Sequence, residues 1–312
     1  MKFNPDKGYE KLWSLDLGVN EPADSPKRKK VQELFNELEH FDKPEDMEVF
    51  DEVVPAEGDD PAVKIRVYRK KGAVNAPLVF DIHGGGFVIG NLDKDNNRCA
   101  AICAGVPCTV IQVEYRLAPQ YRFPAPLMDC YHALTYVAAH AEHYGIDPER
   151  IALFGSSAGG TLVAGLALYI RDKGGPKISM LVFNYPCFYR GDPKSSAMLM
   201  FDGAPVIGGE NLNDALNLYM GPLNGGQPSY YAVPGECKDL THLPPTAIIA
   251  AEYCPLRDDS IDFARRLLAN GIPTELYLLP RVPHAYDLIK EPRTKWIQEG
   301  IFLSLRREFG MN

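Results

Sequence analysis

Short apolar runs alternate with longer stretches of helical periodicity along most of the chain. Residues 63–68 alternate apolar and polar positions, which predicts a strand with one face in contact with water. Two largely apolar runs, 78–82 and 109–113, predict buried strands, and 150–154 is a further apolar strand. Strands are also predicted over 178–184, 246–251 and 274–279. Between these runs, apolar positions recur at helical spacing in three segments: 130–143, 261–268 and 294–309. A further helix, rich in small residues, is predicted from Gly160.

This alternation predicts an α/β protein with a mostly parallel sheet and helices on both faces. Residues 186–243 interrupt the alternation, because they are rich in Gly, Pro and Asn and contain a single helical stretch near 212–219. Residues 1–45 are charged and predicted to be mainly helical. We therefore predict a catalytic domain over 46–312, with the insertion near 186–243 and the N-terminal segment 1–45 forming a helical cap.

The amino-acid composition and net charge exclude some classes of function. The 312 residues are 46% hydrophobic and 24% charged, which is typical of a globular protein. A formal net charge of −8 argues against a nucleic-acid partner. The longest apolar stretch, 161–170, is too short to span a membrane. The sequence leaves the oligomeric state open, and a homo-oligomer is one of the options.

The cysteines indicate a reducing compartment. There are seven, an odd number without paired spacing, which predicts reduced thiols in a cytoplasmic protein. Cys99, Cys103 and Cys108 lie close together, but no further ligands follow them at zinc spacing. We therefore expect no metal site.

The segment Gly155–Gly159 carries the strongest chemical signal. It has the pattern Gly-x-Ser-x-Gly between an apolar strand and a helix of small residues, the context that a nucleophile elbow requires. Such a turn lifts the hydroxyl of Ser157 to the edge of the sheet, next to a helix N-terminus that favours negative charge. A serine-rich loop without chemistry is the alternative, which the strand and helix on either side disfavour.

Three successive glycines follow the strand 78–82. They allow backbone N–H groups to point into a cavity without obstruction by side chains. The N–H groups of Gly85, Gly86 and Ala158 are therefore predicted to form an oxyanion hole. The preceding His83 is predicted to brace the loop rather than to act as a base.

His284 follows the last predicted strand. A general base for the serine must approach from a loop at this edge of the sheet, and the order of serine before histidine matches that of α/β-hydrolases. The other histidines lie on early helices, in the glycine turn or near the cap. We predict His284 as the general base for Ser157.

Taken together, these motifs resemble those of the hormone-sensitive lipase family of carboxylesterases. The matching segments are His83–Phe87, Tyr115–Pro119, Phe123–Asp129, Gly155–Gly160, Pro255–Asp258 and His284. The resemblance runs from about residue 50 to the C-terminus. It implies an α/β-hydrolase fold with an eight-stranded sheet and a cap. It also implies hydrolysis of short-chain acyl esters without a cofactor and an oxyanion hole at Gly85, Gly86 and Ala158.

One position departs from the family pattern. The family places the acid of its catalytic triad immediately before Pro255, where this chain has Cys254. A neutral thiol cannot hold an imidazole by a charge-assisted hydrogen bond as a carboxylate does. The nearby carboxylates are Glu252, Asp258 and Asp259. Asp258 ranks narrowly first as a substitute acid, ahead of Glu252, although stabilisation of a helix N-terminus is its plainer role.

The sequence therefore predicts a serine carboxylesterase acting on a small ester, with acetyl esters as one option. The alternative is a catalytically weakened relative that binds a small molecule, suggested by Cys254. Whether Cys254 is the natural residue or an introduced change is a third question that the sequence leaves open.

Overall fold

The structure is a computed structural model. It describes residues 6–16, 18, 21–22, 24–38, 41–189, 195, 200, 206–207, 209–223 and 226–311. Within these ranges no helix is both long and apolar enough to cross a membrane.

One eight-stranded sheet forms the centre of the protein. Its strands are β1 Met47–Val54, β2 Val63–Lys70, β3 Ala76–Ile82, β4 Thr109–Glu114, β5 Ile146–Ser156, β6 Met180–Asn184, β7 Thr246–Tyr253 and β8 Thr274–Pro283. Their order across the sheet is β1-β2-β4-β3-β5-β6-β7-β8. The pairs β1–β2 and β2–β4 are antiparallel and all others are parallel. The expected mostly parallel, eight-stranded sheet is thus confirmed.

Helices cover both faces of this sheet. They are α1 Pro26–Leu38, α2 Asn96–Gly105, α3 Ala125–Ala139, α4 Ala141–Tyr144, α5 Ala158–Lys173, α6 Gly209–Met220, α7 Arg257–Ala269 and α8 Pro292–Glu308. Phe154 of β5 pairs with Val182 of β6, so these two side chains lie on the same face of the sheet. Phe183 follows Val182 in β6 and therefore points to the other face. The Phe154 ring lies 5.0 Å from the guanidinium of Arg98 in α2, whereas the Phe183 ring contacts Phe263 in α7. Helices α2 and α7 therefore lie on opposite faces.

Three elements of this domain differ from the prediction. Strand β1 carries acidic residues at half-exposed positions, so its pattern lacks the apolar run expected of a buried strand. Helix α2 is built largely from small residues and has little amphipathic character, so its apolar residues do not recur at helical spacing in the sequence. Helix α3 also begins five residues earlier than predicted, because Pro126 in its first turn needs no N–H donor there.

The N-terminal segment contacts the insertion after β6. The N–H of Val206 donates to the carbonyl of Leu15 at 2.9 Å. Arg28 of α1 contacts a different part of the protein, the loop after β3, where it donates to the carbonyl of Val88 at 3.4 Å. The helix expected near 212–219 is α6. Much of 190–208 lies outside the described residues, so the boundaries of the cap stay a prediction.

Candidate active site

Ser157 occupies a strained turn between β5 and α5. Its backbone angles are φ 54° and ψ −120°, far from the regions that most residues adopt. The turn is tight because the backbones touch: a Cβ atom on Gly159 would lie 2.0 Å from the carbonyl oxygen of Ile82. The N–H of Ser157 donates to the carbonyl of Asn184 at 2.9 Å. The fold thus holds the Ser157 hydroxyl at the carboxyl edge of the sheet.

His284 lies directly after β8, and its imidazole reaches the serine. The distance from His284 Nε2 to Ser157 Oγ is 2.9 Å, although 127 residues separate them in the chain. Burial, and then the positive charge of Lys94, lower the pKa of His284 to about 3. The imidazole is therefore neutral near pH 7 and able to accept the serine proton.

Cys254 occupies the other side of the imidazole. Its Sγ lies 3.1 Å from His284 Nδ1 and also accepts the N–H of Leu256 at 3.4 Å. The side chain is 1% exposed, and burial raises the pKa of the thiol to about 12. A neutral thiol thus faces Nδ1 where a triad carboxylate would lie.

The carboxylates considered from the sequence contact other groups. Asp258 pairs with Arg257 at 2.8 Å in the first turn of α7, and Glu252 accepts the N–H of Arg281 at 2.6 Å. Both ring nitrogens of His284 face other side chains, the hydroxyl of Ser157 and the thiol of Cys254. Asp258, predicted first as the substitute acid, is thus not a partner of either ring nitrogen in the structure and pairs with Arg257 instead.

The turn formed by Gly84, Gly85 and Gly86, here called the glycine turn, lies beside Ser157. A Cβ atom on Gly84 would lie 3.3 Å from Ser157 Cβ, so the turn and the elbow are in contact. Gly85 and Gly86 have φ of 116° and 60°, and neither donates its N–H to a backbone oxygen of the described residues. Ala158 is the first residue of α5, where N–H groups have no intrahelical acceptor. The three N–H groups predicted to hold an oxyanion are thus next to the nucleophile.

His83 braces this turn. Its Nδ1 lies 2.7 Å from the carbonyl oxygen of Gly84, and its ring stacks on Tyr115 at 4.3 Å. Burial, followed by the charge of Lys94, lowers the pKa of His83 to about 4. The neutral ring packs against the loop and does not contact the serine.

A buried charged network next to the site was not predicted. Arg98 lies 3.0 Å from Asp81, 2.9 Å from Asp95 and 3.3 Å from Asp287. Asp287 in turn accepts the hydroxyl of Tyr185, whose ring lies 4.6 Å from the His284 ring. The one sign of this network in the sequence is Asp81, a carboxylate within the apolar run 78–82. A charge in a buried strand needs a partner of opposite charge.

Among the described residues, no three His, Cys, Asp or Glu side chains are grouped so that they could hold a metal ion. All seven cysteines are free and buried.

Comparison with known proteins adds independent information. Residues 79–288 match the family model described as the alpha/beta hydrolase fold. The chain is 36% identical to the esterase LipI of Mycobacterium tuberculosis over 68% of this chain and 66% of that relative. It is 32% identical to an acetyl esterase of Salmonella paratyphi B, over 75% and 72% of the two chains. A solved bacterial heroin esterase superposes with a TM-score of 0.87 at 33% identity, over 95% of this chain and 93% of that one.

Proposed function

Because the chain belongs to the α/β-hydrolase family of esterases, we propose that it hydrolyses short-chain carboxylic esters, with Ser157 as nucleophile and His284 as general base. The observation that carries this proposal is the distance of 2.9 Å between His284 Nε2 and Ser157 Oγ. A neutral, buried imidazole at hydrogen-bond distance from a serine in a strained elbow is the arrangement that acyl transfer requires.

The first half of the reaction forms an acyl-enzyme. Ser157 Oγ attacks the ester carbonyl carbon while His284 Nε2 accepts the hydroxyl proton. The negative charge that develops on the carbonyl oxygen is stabilised by the N–H groups of Gly85, Gly86 and Ala158. When the tetrahedral intermediate collapses, the C–O bond to the alcohol breaks and the imidazolium donates its proton to the departing oxygen.

The second half returns the free enzyme. A water molecule donates a proton to His284 Nε2 and attacks the acyl carbon, which forms a second tetrahedral intermediate at the same oxyanion hole. Collapse of this intermediate breaks the bond to Ser157 Oγ, which takes back the proton from His284. The carboxylic acid product then leaves.

Two features support a small substrate. Ser157 is 7% exposed and His284 2% exposed, so the reacting atoms lie in a confined site. A relative at 32% identity is named an acetyl esterase. We include acetyl esters among the proposed substrates. We also propose that residues 1–45 and the insertion near 186–243 together form a helical cap. The hydrogen bond between Val206 and Leu15 supports the joint cap.

The proposal is tested by labelling and by turnover. Purified protein should hydrolyse p-nitrophenyl acetate or butyrate, and an organophosphonate should label Ser157, as located by peptide mass spectrometry. We expect Ser157→Ala and His284→Ala each to lower kcat by about 10⁴-fold or more, since triad members act as a unit. A folded protein with neither turnover nor an adduct on Ser157 would refute the proposal and favour the binding-protein alternative.

A further inference from the structure

Tyr185 packs against the imidazole of the proposed general base. Its ring centroid lies 4.6 Å from that of His284, with the two ring planes at 59°. The residue is buried, directly follows strand β6 and has a backbone φ of 40°, in the left-handed region that bulky residues rarely adopt. Its N–H donates to the carbonyl of Ile249 in β7 at 2.8 Å. A strained residue of this kind persists only where its surroundings fix it, and such residues are common at active sites.

A carboxylate anchors the hydroxyl of Tyr185. The hydroxyl donates to one oxygen of Asp287, whose other oxygen accepts the side-chain N–H of Asn184 at 3.0 Å. Asp287 also lies 3.3 Å from the guanidinium of Arg98. A hydrogen bond to a carboxylate is stronger than one between neutral groups, and burial strengthens it further. The Tyr185 ring is therefore fixed both at its backbone and at its hydroxyl, with the His284 ring alongside.

The end of β6 also connects the two reacting residues. The carbonyl of Asn184 accepts the N–H of Ser157 at 2.9 Å. The side-chain oxygen of Asn184 accepts the hydroxyl of Tyr286, two residues after His284, at 2.9 Å. The hydrogen bond made by the Tyr185 hydroxyl is a second link from the end of β6 to the segment that follows the histidine. The serine turn and the histidine loop thus share one support.

The Nδ1 side of the imidazole is held less firmly. A triad carboxylate would fix the orientation of His284 through a charge-assisted hydrogen bond at Nδ1. Here Nδ1 faces the thiol of Cys254, which is neutral because burial raises its pKa to about 12. A thiol is both a weak donor and a weak acceptor, so it constrains the ring less than a carboxylate does. The orientation of His284 therefore depends more on the groups that pack against its ring.

We propose that Tyr185, anchored by Asp287, is a positioning residue for His284. This inference rests on the proposed function and adds a residue to the same site. Tyr185 exchanges no proton with the imidazole. It restricts rotation of the ring and so keeps Nε2 within hydrogen-bond distance of Ser157 Oγ, which is the orientation that a triad carboxylate would otherwise secure. Such geometry is demanding, because misplacing a reacting group by about 1 Å can cost about 100-fold in rate.

The competing role for Tyr185 is purely structural. Its ring and hydroxyl would then stabilise the fold around β6, and their loss would have the same effect whatever residue stands at position 254. The positioning role makes a different prediction, since a carboxylate at position 254 would fix the imidazole by itself. A double-mutant cycle between the two positions separates these roles.

The first cycle combines Tyr185→Leu with Cys254→Asp and measures kcat for p-nitrophenyl acetate in all four proteins. We expect Tyr185→Leu to lower kcat about 10-fold or more when Cys254 is present. The loss should be at least about 5-fold smaller in the Cys254→Asp background, whereas independent sites deviate from additivity by only about 2-fold. Tyr189→Leu is the matched control, because Tyr189 also donates its hydroxyl to a carboxylate, that of Asp262 in α7. Its effect should be equal in the two backgrounds.

The second cycle tests the anchor and leaves Cys254 in place. Tyr185→Phe keeps the ring and removes the hydroxyl, and Asp287→Ala removes the acceptor of that hydroxyl. We expect each variant to lower kcat about 3-fold or more, the scale of one lost hydrogen bond. If Asp287 acts through Tyr185, the double variant should be little slower than the slower single variant. Losses that multiply would overturn the anchored positioning role.

Equal losses from Tyr185→Leu in both backgrounds would likewise overturn the proposal. If Cys254→Asp does not fold, the second cycle decides alone. Failure of the proposed function gives a different result, because the wild-type protein then neither hydrolyses p-nitrophenyl esters nor is labelled at Ser157. Urea denaturation of each variant confirms that the rates are measured on folded protein.

Discussion

A thiol and a carboxylate differ in how firmly each fixes the tautomer of a neighbouring imidazole. General-base catalysis needs the proton of His284 on Nδ1, so that Nε2 presents a lone pair to Ser157. A carboxylate at Nδ1 enforces this tautomer because it can only accept a hydrogen bond. The thiol of Cys254 is a weak donor and a weak acceptor, and its sulfur already accepts the N–H of Leu256. The thiol hydrogen can thus point to Nδ1, which stabilises the unproductive tautomer.

At this residue scale, Cys254→Asp should raise the rate of ester hydrolysis. We expect kcat to increase by at least about 10-fold, part of the roughly 10⁴-fold that separates a triad aspartate from its neutral amide. The new carboxylate also raises the pKa of His284, which must be unprotonated to act. The acid limb of the pH–rate profile should therefore move to higher pH. Steady-state kinetics between pH 4 and pH 9 measure both effects.

Controls separate this effect from a general change at the site. Cys254→Ser keeps the position neutral and should give no comparable gain. Asp258→Asn and Glu252→Gln should each have little effect, since these side chains contact Arg257 and the backbone of Arg281. A large loss in either variant, with no gain in Cys254→Asp, would assign the third triad role to that carboxylate instead.

At the scale of elements, the elbow depends on how closely helix α5 approaches strand β3. A methyl group on Gly159 would lie 2.0 Å from Ile82 O and 2.6 Å from His83 O, both backbone atoms that cannot rotate away. We expect Gly159→Ala to destabilise the protein by several kcal/mol or to prevent folding, as overpacking does at its upper end. Chemical denaturation of purified protein, or its soluble yield, measures this loss.

Gly300→Ala is the matched control, because Gly300 also lies within a helix, α8. Its added Cβ would meet its nearest neighbour, the Tyr277 ring, at an ordinary 3.7 Å. Alanine is favoured over glycine in a helix by about 1 kcal/mol, so this variant should be at least as stable as wild type. Equal stability of the two variants would contradict the close contact at the elbow.

Helix α6 meets the glycine turn through an aromatic stack. The ring of Tyr219 lies 4.1 Å from that of Phe87, which directly follows the three glycines, and 5.9 Å from Phe123. We expect Tyr219→Ala to shift the preferred acyl chain to longer lengths, because removing the ring enlarges the space beside the turn. A p-nitrophenyl ester series from acetate to octanoate measures the profile.

Tyr219→Phe is the control for this prediction. The Tyr219 hydroxyl is buried and has no hydrogen-bond partner among the described residues, so its removal should leave the profile unchanged. Phe188 is unsuitable for the same test, because it stacks on Phe263 at 3.9 Å in the core and its truncation would mainly lower stability. An unchanged profile in Tyr219→Ala would remove the support for a cap that controls chain length.

At the scale of the whole molecule, buried neutral histidines should make the fold sensitive to acid. Burial lowers the pKa of His83 to about 4 and that of His284 to about 3. Below an unfolded pKa near 6.5, the unfolded chain binds protons that the native protein does not bind. Each histidine thus removes about 1.4 kcal/mol of stability per pH unit as the pH falls from about 6.5 towards its native pKa. Asp81, whose pKa burial raises to about 6, partly offsets this loss.

Urea denaturation at pH 7 and pH 5 should therefore show a lower free energy of unfolding at pH 5. His83→Asn and His284→Gln should each reduce the difference between the two values, since each removes one proton-binding site of the unfolded chain. His140→Gln, at an exposed position, should leave it unchanged. Equal stability of the wild type at pH 5 and pH 7 would contradict the prediction.

The sequence by itself determined the fold class and predicted the two residues of the proposed mechanism. Alternating apolar runs and helical stretches predicted the mostly parallel sheet, because the periodicity of side chains is a local property of strands and helices. The resemblance to the hormone-sensitive lipase family of carboxylesterases is confirmed by the comparisons. Ser157 was identifiable because an elbow needs glycines at fixed positions close in the chain, and His284 because it follows the last strand.

Only the tertiary structure decided what surrounds these residues. Whether Cys254, Glu252 or Asp258 faces His284 depends on where β7 ends relative to β8 and on how α7 begins, and a shift of one residue changes the answer. Lys94 lies near the elbow because the loop after β3 folds back towards it. Electrostatic interactions depend on distance and burial rather than on sequence spacing, so the charges of the site follow from the fold and not from the motifs.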